Sequence, residues 1–217
     1  LIIDLRGNAG GSLEEAVKLT GLFVDQGPVV QVHRSNGRRE VLRDPDTGPA
    51  LYDQPLAVMV DSGSASASEI FAAAIQDYGR GLVIGDQTFG KGTVQTLIGL
   101  DRFGVGTDDQ PAGRLKLTIA KFYRINGEST QLEGVTPDLS MPYPHGSEAV
   151  GERAADNALP WDTVRSAQYD RDRGLDAVIN ELRRRHQRRI RTEPALQSVS
   201  AEAKRAQKAR ERTRVSL

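Results

Sequence analysis

Three short apolar runs, at residues 1–5, 55–60 and 81–85, each lead into a polar, glycine-bearing stretch. Runs of this length bounded by turn signals read as buried strands. Between them the period changes. Leu13, Ala16, Val17, Leu19, Leu22 and Phe23 form one broad helical face, opened by the N-cap residue Ser12. Ile70, Phe71, Ala74, Ile75 and Tyr78 form a second, behind a run of small residues at 63–68. Strand, helix and strand in this rhythm predict an α/β layer fold with parallel strands. Residues 29–33, 93–97 and 115–123 read as further strands, and Asn36-Gly37 marks a turn with a hairpin nearby.

The pattern changes again toward the C-terminus. Residues 141–164 form an irregular bridge holding Pro142, Pro144 and Pro160, and residues 173–191 and 200–214 read as strongly charged helices. Three regions follow: a core over 1–140, a bridge over 141–172 and a helical region over 173–217. At 38% hydrophobic and 27% charged, the 217-residue chain can build a core. Its net charge is zero but uneven, with 16 Lys and Arg against 10 Asp and Glu in residues 151–217, and 13 against 19 before them. A basic helical tail of this kind is first a solvated face, so no nucleic-acid partner is expected. The absence of cysteine excludes disulfides and thiolate metal sites. His33, His145 and His186 lie outside any glycine-rich helix start, so neither a metal cluster nor a Ser-His pair is expected, and no cofactor is implied. No apolar run approaches a membrane span. The chain opens inside a strand, with no initiator Met and no signal peptide, so it reads as cut at that end. By itself it is expected to be inactive and poorly stable.

Two stretches carry candidate chemistry. In Gly63-Ser64-Ala65-Ser66-Ala67-Ser68-Glu69, Ser66 fits an N-cap with Glu69 at the capping-box position. The same hydroxyl sits where small neighbours admit a substrate backbone and free N–H groups await an oxyanion. In Thr88-Phe89-Gly90-Lys91-Gly92-Thr93-Val94-Gln95, a lysine stands in a glycine-flanked turn. A lysine activates a serine only where burial or neighbours lower its pKa. Residues 85–91 also match most of a P-loop. However, Gly92 replaces the magnesium-binding hydroxyl, and residues 93–97 are β-like where a helix is needed. Gln95 would share a face with Lys91 along an extended chain and could hold its amine toward Ser66. Gly10-Gly11 ends the first strand, either as a turn that simply needs positive φ or as one that aims a backbone N–H, paired with that of Ala67, at a substrate carbonyl. Asp77, three turns beyond Ser66, reads as structural more readily than catalytic.

In order along the chain, Asp4-Leu5-Arg6-Gly7-Asn8-Ala9-Gly10-Gly11, Ser64-Ala65-Ser66-Ala67-Ser68-Glu69, Phe89-Gly90-Lys91-Gly92-Thr93-Val94-Gln95 and Gly134-Val135-Thr136-Pro137-Asp138 resemble the motifs of carboxy-terminal processing proteases. Asn157-Ala158-Leu159-Pro160-Trp161-Asp162 and the charged helices extend the likeness to the tail-specific branch of that family. The resemblance implies a crotonase-like β/α spiral followed by a C-terminal helical region. It implies a Ser66/Lys91 dyad supported by Gln95, and an oxyanion hole at Gly11 and Ala67. Asp77 carries over with the least support, and Ala9 departs from the glycine or proline of relatives. Substrates would be proteins with unstructured, apolar C-terminal tails. An adaptor protein, an upstream PDZ domain and a periplasmic location, with inner-membrane association, belong to the same expectation. Two other readings stay open at this point: a crotonase-like binding scaffold without proteolysis, and a nucleotide-binding protein through residues 85–91.

Overall fold

The apolar runs pair side by side. In the computed structural model, β1 (Ile2–Asp4) aligns Ile3 with Val58 of β4 (Ala57–Val60), and β4 aligns Val58 with Val83 of β5 (Leu82–Gly85). The short strand β10 (Leu139–Ser140) closes a four-stranded sheet of order β1-β4-β5-β10, with every pair parallel. Between these strands the chain forms α1 (Leu13–Gly21), β2 (Pro28–Arg34), β3 (Arg39–Arg43) and α2 (Ala67–Tyr78). Next come β6 (Thr93–Gly99), β7 (Gly106–Thr107), β8 (Gln110–Pro111) and β9 (Arg114–Tyr123). The last described elements are α3 (Gly174–Thr192) and α4 (Pro194–Arg210). The structure describes residues 1–46, 48–104, 106–107, 110–142 and 150–210.

A second sheet, of order β3-β2-β9-β6, is antiparallel. The Asn36-Gly37 turn joins β2 to β3, with Arg34 N–H donating to Arg38 O at 2.8 Å. Helix α2 lies between the two sheets, and every one of its residues except Gln76 is buried. Phe71 and Ile75 face Val58, Val60 and Val83 of the parallel sheet, while Ala67, Ile70 and Ala74 face Val30, Val32 and Phe122 of the other. A helix buried on all sides must be apolar all round, which explains its alanine content. At the far end, Gly79 in the left-handed conformation caps α2 through bonds to Ile75 O and Gln76 O.

The expected α/β core and charged helical C-terminal region are both present. The second charged helix starts at Pro194, six residues before the expected 200, because proline is well tolerated in a helix's first turn. Its expected end at 211–214 and His145 lie outside the described residues. Helix α3 reaches back to the sheet: Arg183 Nε donates to Asp138 O at 2.8 Å, and His186 Nε2 lies 3.0 Å from Ser140 O. The stretch before α3 is irregular but pinned. Val164 and Ala167 donate backbone bonds to Gly127 O and Ile125 O.

Candidate active site

Ser66 stands at the entrance to α2 with φ 59° and ψ −114°. A serine held at positive φ is strained, by about 1–3 kcal/mol, and persists only where its surroundings enforce it. The enforcement is visible. Asn8 O accepts from Ala65 N–H at 3.0 Å, and Ser68 Oγ donates to Asn8 at 3.0 Å. Ser64 Oγ donates to Leu5 O at 2.7 Å. Gly10 comes so close that a Cβ there would fall 2.4 Å from Ala65 O and 2.8 Å from Ala67 N. No side chain could be placed at that position without moving the turn. The Ser66 hydroxyl faces the Glu69 N–H in a capping-box arrangement, short of a full hydrogen bond.

Glu69 does more than cap. It is fully buried, and its two oxygens accept from four donors. Oε2 takes the N–H groups of Ser66 at 2.7 Å and Lys91 at 3.0 Å. Oε1 takes the Thr88 hydroxyl at 2.6 Å and the Gly90 N–H at 2.7 Å. One carboxylate thus ties the backbone of the serine turn to the backbone of the lysine turn. Burial pushes its pKa up to about 7, and the four donors act against that rise. The Gly90 and Lys91 N–H groups, which a P-loop would need for a phosphate, are already given to Glu69. A strand, β6, follows Lys91 rather than a helix.

Ser66, Lys91 and Gln95 line one cavity of about 230 Å³, together with Gly11 and Ala67. Ser66 and Lys91 are half-buried and Gln95 is exposed. The route by which Gln95 arrives differs from simple alternation. The β6–β9 register slips between Val94 and Gln95, pairing them with Ala120 and Thr118 on one face of β9. This bulge turns two successive side chains toward the cavity, which alternation alone would not do. Among the described residues, the Gln95 amide makes no hydrogen bond to Lys91. Among the same residues, the N–H groups of Gly11 and Ala67 donate no internal hydrogen bond, as expected for a turn and a first helical residue. Leu13, Ile70, Val94 and Phe122 supply an apolar wall, and Lys116 of β9 completes the rim.

Asp77 lies elsewhere, about 16 Å along α2 from Ser66. It is buried, and its carboxylate accepts from Arg124 Nη2 at 2.5 Å and Nε at 3.2 Å. Burial raises its pKa, and the Arg124 charge works against that rise. Among the described residues no group of three or more His, Asp or Glu side chains could hold a metal ion.

The profile of peptidase family S41 matches residues 1–141, and that of the C-terminal domain of tail specific protease matches residues 147–217. The chain belongs to peptidase family S41. Over its whole length it is 46% identical to the "Tail-specific protease" of Haemophilus influenzae, covering 31% of that protein. It is 40% identical over 144 residues to the "Carboxy-terminal-processing protease" of Bartonella bacilliformis, matching 66% of this chain and 31% of that protein. Among solved structures, the photosystem II D1 C-terminal processing protease aligns at a TM-score of 0.55 and 32% identity. That alignment covers 65% of this chain and 34% of the other. The chain spans about a third of the length of these curated relatives. Sequence patterning did not reveal two parts of the site in this S41 chain: the carboxylate bridge at Glu69 and the bulge at Val94. The first had a signal, since a glutamate three residues after Ser66 was visible as a cap.

Proposed function

We propose that this chain carries the catalytic core of a serine endopeptidase that cuts proteins near their C-terminal tails. The observation that carries the reading is the convergence of Ser66, Lys91, Gln95, Gly11 and Ala67 on one cavity. In the proposed reaction, Ser66 Oγ attacks the scissile carbonyl carbon while the neutral Lys91 amine takes its proton. The oxyanion is held by the free N–H groups of Gly11 and Ala67, which need no rearrangement to receive it. Lys91 then gives the proton to the leaving amine. Water attacks the acyl-serine, passes a proton through Lys91, and Ser66 is restored. Gln95 orients the lysine amine, and Glu69 holds the two turns in register.

The substrate enters as an extended strand. Among the described residues β6 pairs only with β9, which leaves its other edge unpaired there, and it starts two residues after Lys91. Backbone bonds along such an edge supply affinity with little sequence demand. Apolar tails suit the wall of Leu13, Ile70, Val94 and Phe122. The family likeness further supports a PDZ domain and an adaptor in the whole protein. It also supports action in the bacterial periplasm, with the inner membrane nearby. Among the described residues no helix is long and apolar enough to cross a membrane.

The test uses the full-length gene product and a substrate with an unstructured tail. Ser66→Ala and Lys91→Ala should each abolish cleavage, with unchanged thermal unfolding and with wild-type activity that survives chelators. A Lys91→Ala enzyme with near-normal turnover would falsify the mechanism. Wild-type inactivity, with tail binding indifferent to Ser66→Ala, would favour a binding scaffold.

A further inference from the structure

The cavity at Ser66 has an uneven charge. Among its lining residues Lys91 and Lys116 are the ones with a basic side chain, and none carries a carboxylate. Lys91 belongs to the proposed chemistry, which leaves Lys116 without an assigned task. Its position is set by the sheet. Lys116 pairs with Leu97, two residues along β6 from Gln95, so Gln95, Leu97, Lys116 and Thr118 share one face. Ala120 and Phe122 continue that face into the apolar wall, because alternate residues of a strand point the same way. Arg114 lies on the same face at the other end, beyond the cavity, opposite Gly99. Leading away from Ser66, this face therefore runs apolar, then amide, then cationic. Among the described residues Lys116 has no ion-pair partner, and its side chain is exposed.

We propose that Lys116 is a specificity-determining residue that pairs with a carboxylate on the substrate, next to an apolar residue seated over Leu13, Ile70, Val94 and Phe122. This rests on the proteolytic reading above and names a subsite within it. The physical case has two parts. An extended substrate along the free edge of β6 passes the β6–β9 face two residues at a time, as the sheet's own side chains do. A lone cation at the rim of a partly enclosed, acid-free cavity attracts an anion and disfavours a second cation. The carboxylate has two chemical sources, an Asp or Glu side chain and the free end of the chain. Both present the same group to the ammonium.

The experiment separates them. C-terminally amidated peptides with one Glu walked through the positions around an apolar residue are compared with their Gln twins. The Gln peptides are also compared as free acid and as amide. In the full-length protein, one Glu position should raise kcat/KM about fivefold over Gln, the upper range for an exposed ion pair. If the chain end is the source, the free acid should show that preference instead. The preference should vanish in Lys116→Met and reverse toward Lys-bearing peptides in Lys116→Glu. Peptide binding to Ser66→Ala, read by fluorescence anisotropy, makes the same comparisons without turnover. If nothing is cleaved in a Ser66-dependent way, the proteolytic reading fails while binding still tests Lys116. If neither carboxylate gives a preference, or if the preference persists in Lys116→Met, the assignment is overturned.

Discussion

A buried carboxylate that accepts four hydrogen bonds has no neutral substitute of the same shape. In Glu69→Gln one oxygen becomes an NH₂ group, which must face either the Ser66 and Lys91 N–H groups or the Thr88 hydroxyl and Gly90 N–H. Two donors then oppose a donor, and a buried unpaired group costs about 1–3 kcal/mol. We expect Glu69→Gln to lose about 2–5 kcal/mol in denaturant unfolding and most of its turnover. Substrate affinity should change less, since the cavity wall is untouched. The pH behaviour carries a second signature. With its pKa raised from 4.5 to about 7, Glu69 holds a proton in the folded chain that the unfolded chain has already released. Its contribution therefore makes the fold less stable as pH rises through that window, and adds no further slope above it. Activity should move the other way. A proton on Glu69 removes an acceptor facing the two turns, so turnover should fall on the acid side of about 7. A Glu69→Gln enzyme that keeps wild-type turnover and the same acid limb would remove the carboxylate from the account.

Helix α2 is the element on which both the site and the fold depend, and its two ends do different work. The entrance holds Ser66 under backbone strain between the glycine turn and Glu69. The far end holds Asp77 against Arg124, which also donates to Gln76 Oε1 at 2.9 Å. Asp77 touches nothing at the cavity. Asp77→Asn should therefore leave the largely buried Arg124 guanidinium with only the more distant Glu128 carboxylate, at 3.9 Å, and destabilise the protein by about 3–5 kcal/mol. Residual activity, measured below the lowered melting temperature, should match wild type. Asp77→Leu paired with Arg124→Met should recover much of the stability, because a matched apolar pair can replace a buried ion pair. Turnover that stays lost in that stable double variant would give Asp77 a part in the chemistry.

The same helix shows what was legible in the sequence. Its apolar positions, the cap at Ser66 and the flanking strands follow from periodicity and turn residues, which are local properties. Helix α3 was equally legible, from its own charge and period. The Glu69 bridge joins residues 19 to 22 positions apart, and the Val94 bulge depends on how β6 registers against β9. Neither is a local property. Strand β10 was missed for a related reason: two residues hold it against β5 and carry no pattern of their own.

At the scale of the molecule, the candidate site is a cavity between the entrance of α2 and the β6–β9 face, sized for a side chain or two. A cavity of about 230 Å³ is too small for a folded surface, so on the proposed reading the substrate arrives as an extended segment. A stably folded protein offers such a segment only by opening. For a substrate domain stable by about 5 kcal/mol, the open fraction is below about one in a thousand. On the same reading an unstructured tail needs no opening and would add to the sheet edge directly. One folded protein, with and without an appended apolar tail, should then be cleaved at rates differing by about a thousandfold or more when opening is fast relative to cutting. Destabilising the untailed substrate by point mutation should raise its rate in proportion to its open fraction. Equal rates for tailed and untailed forms, or a rate indifferent to substrate stability, would mean that the cleft engages folded surfaces. Strand addition at β6 would then have to be abandoned.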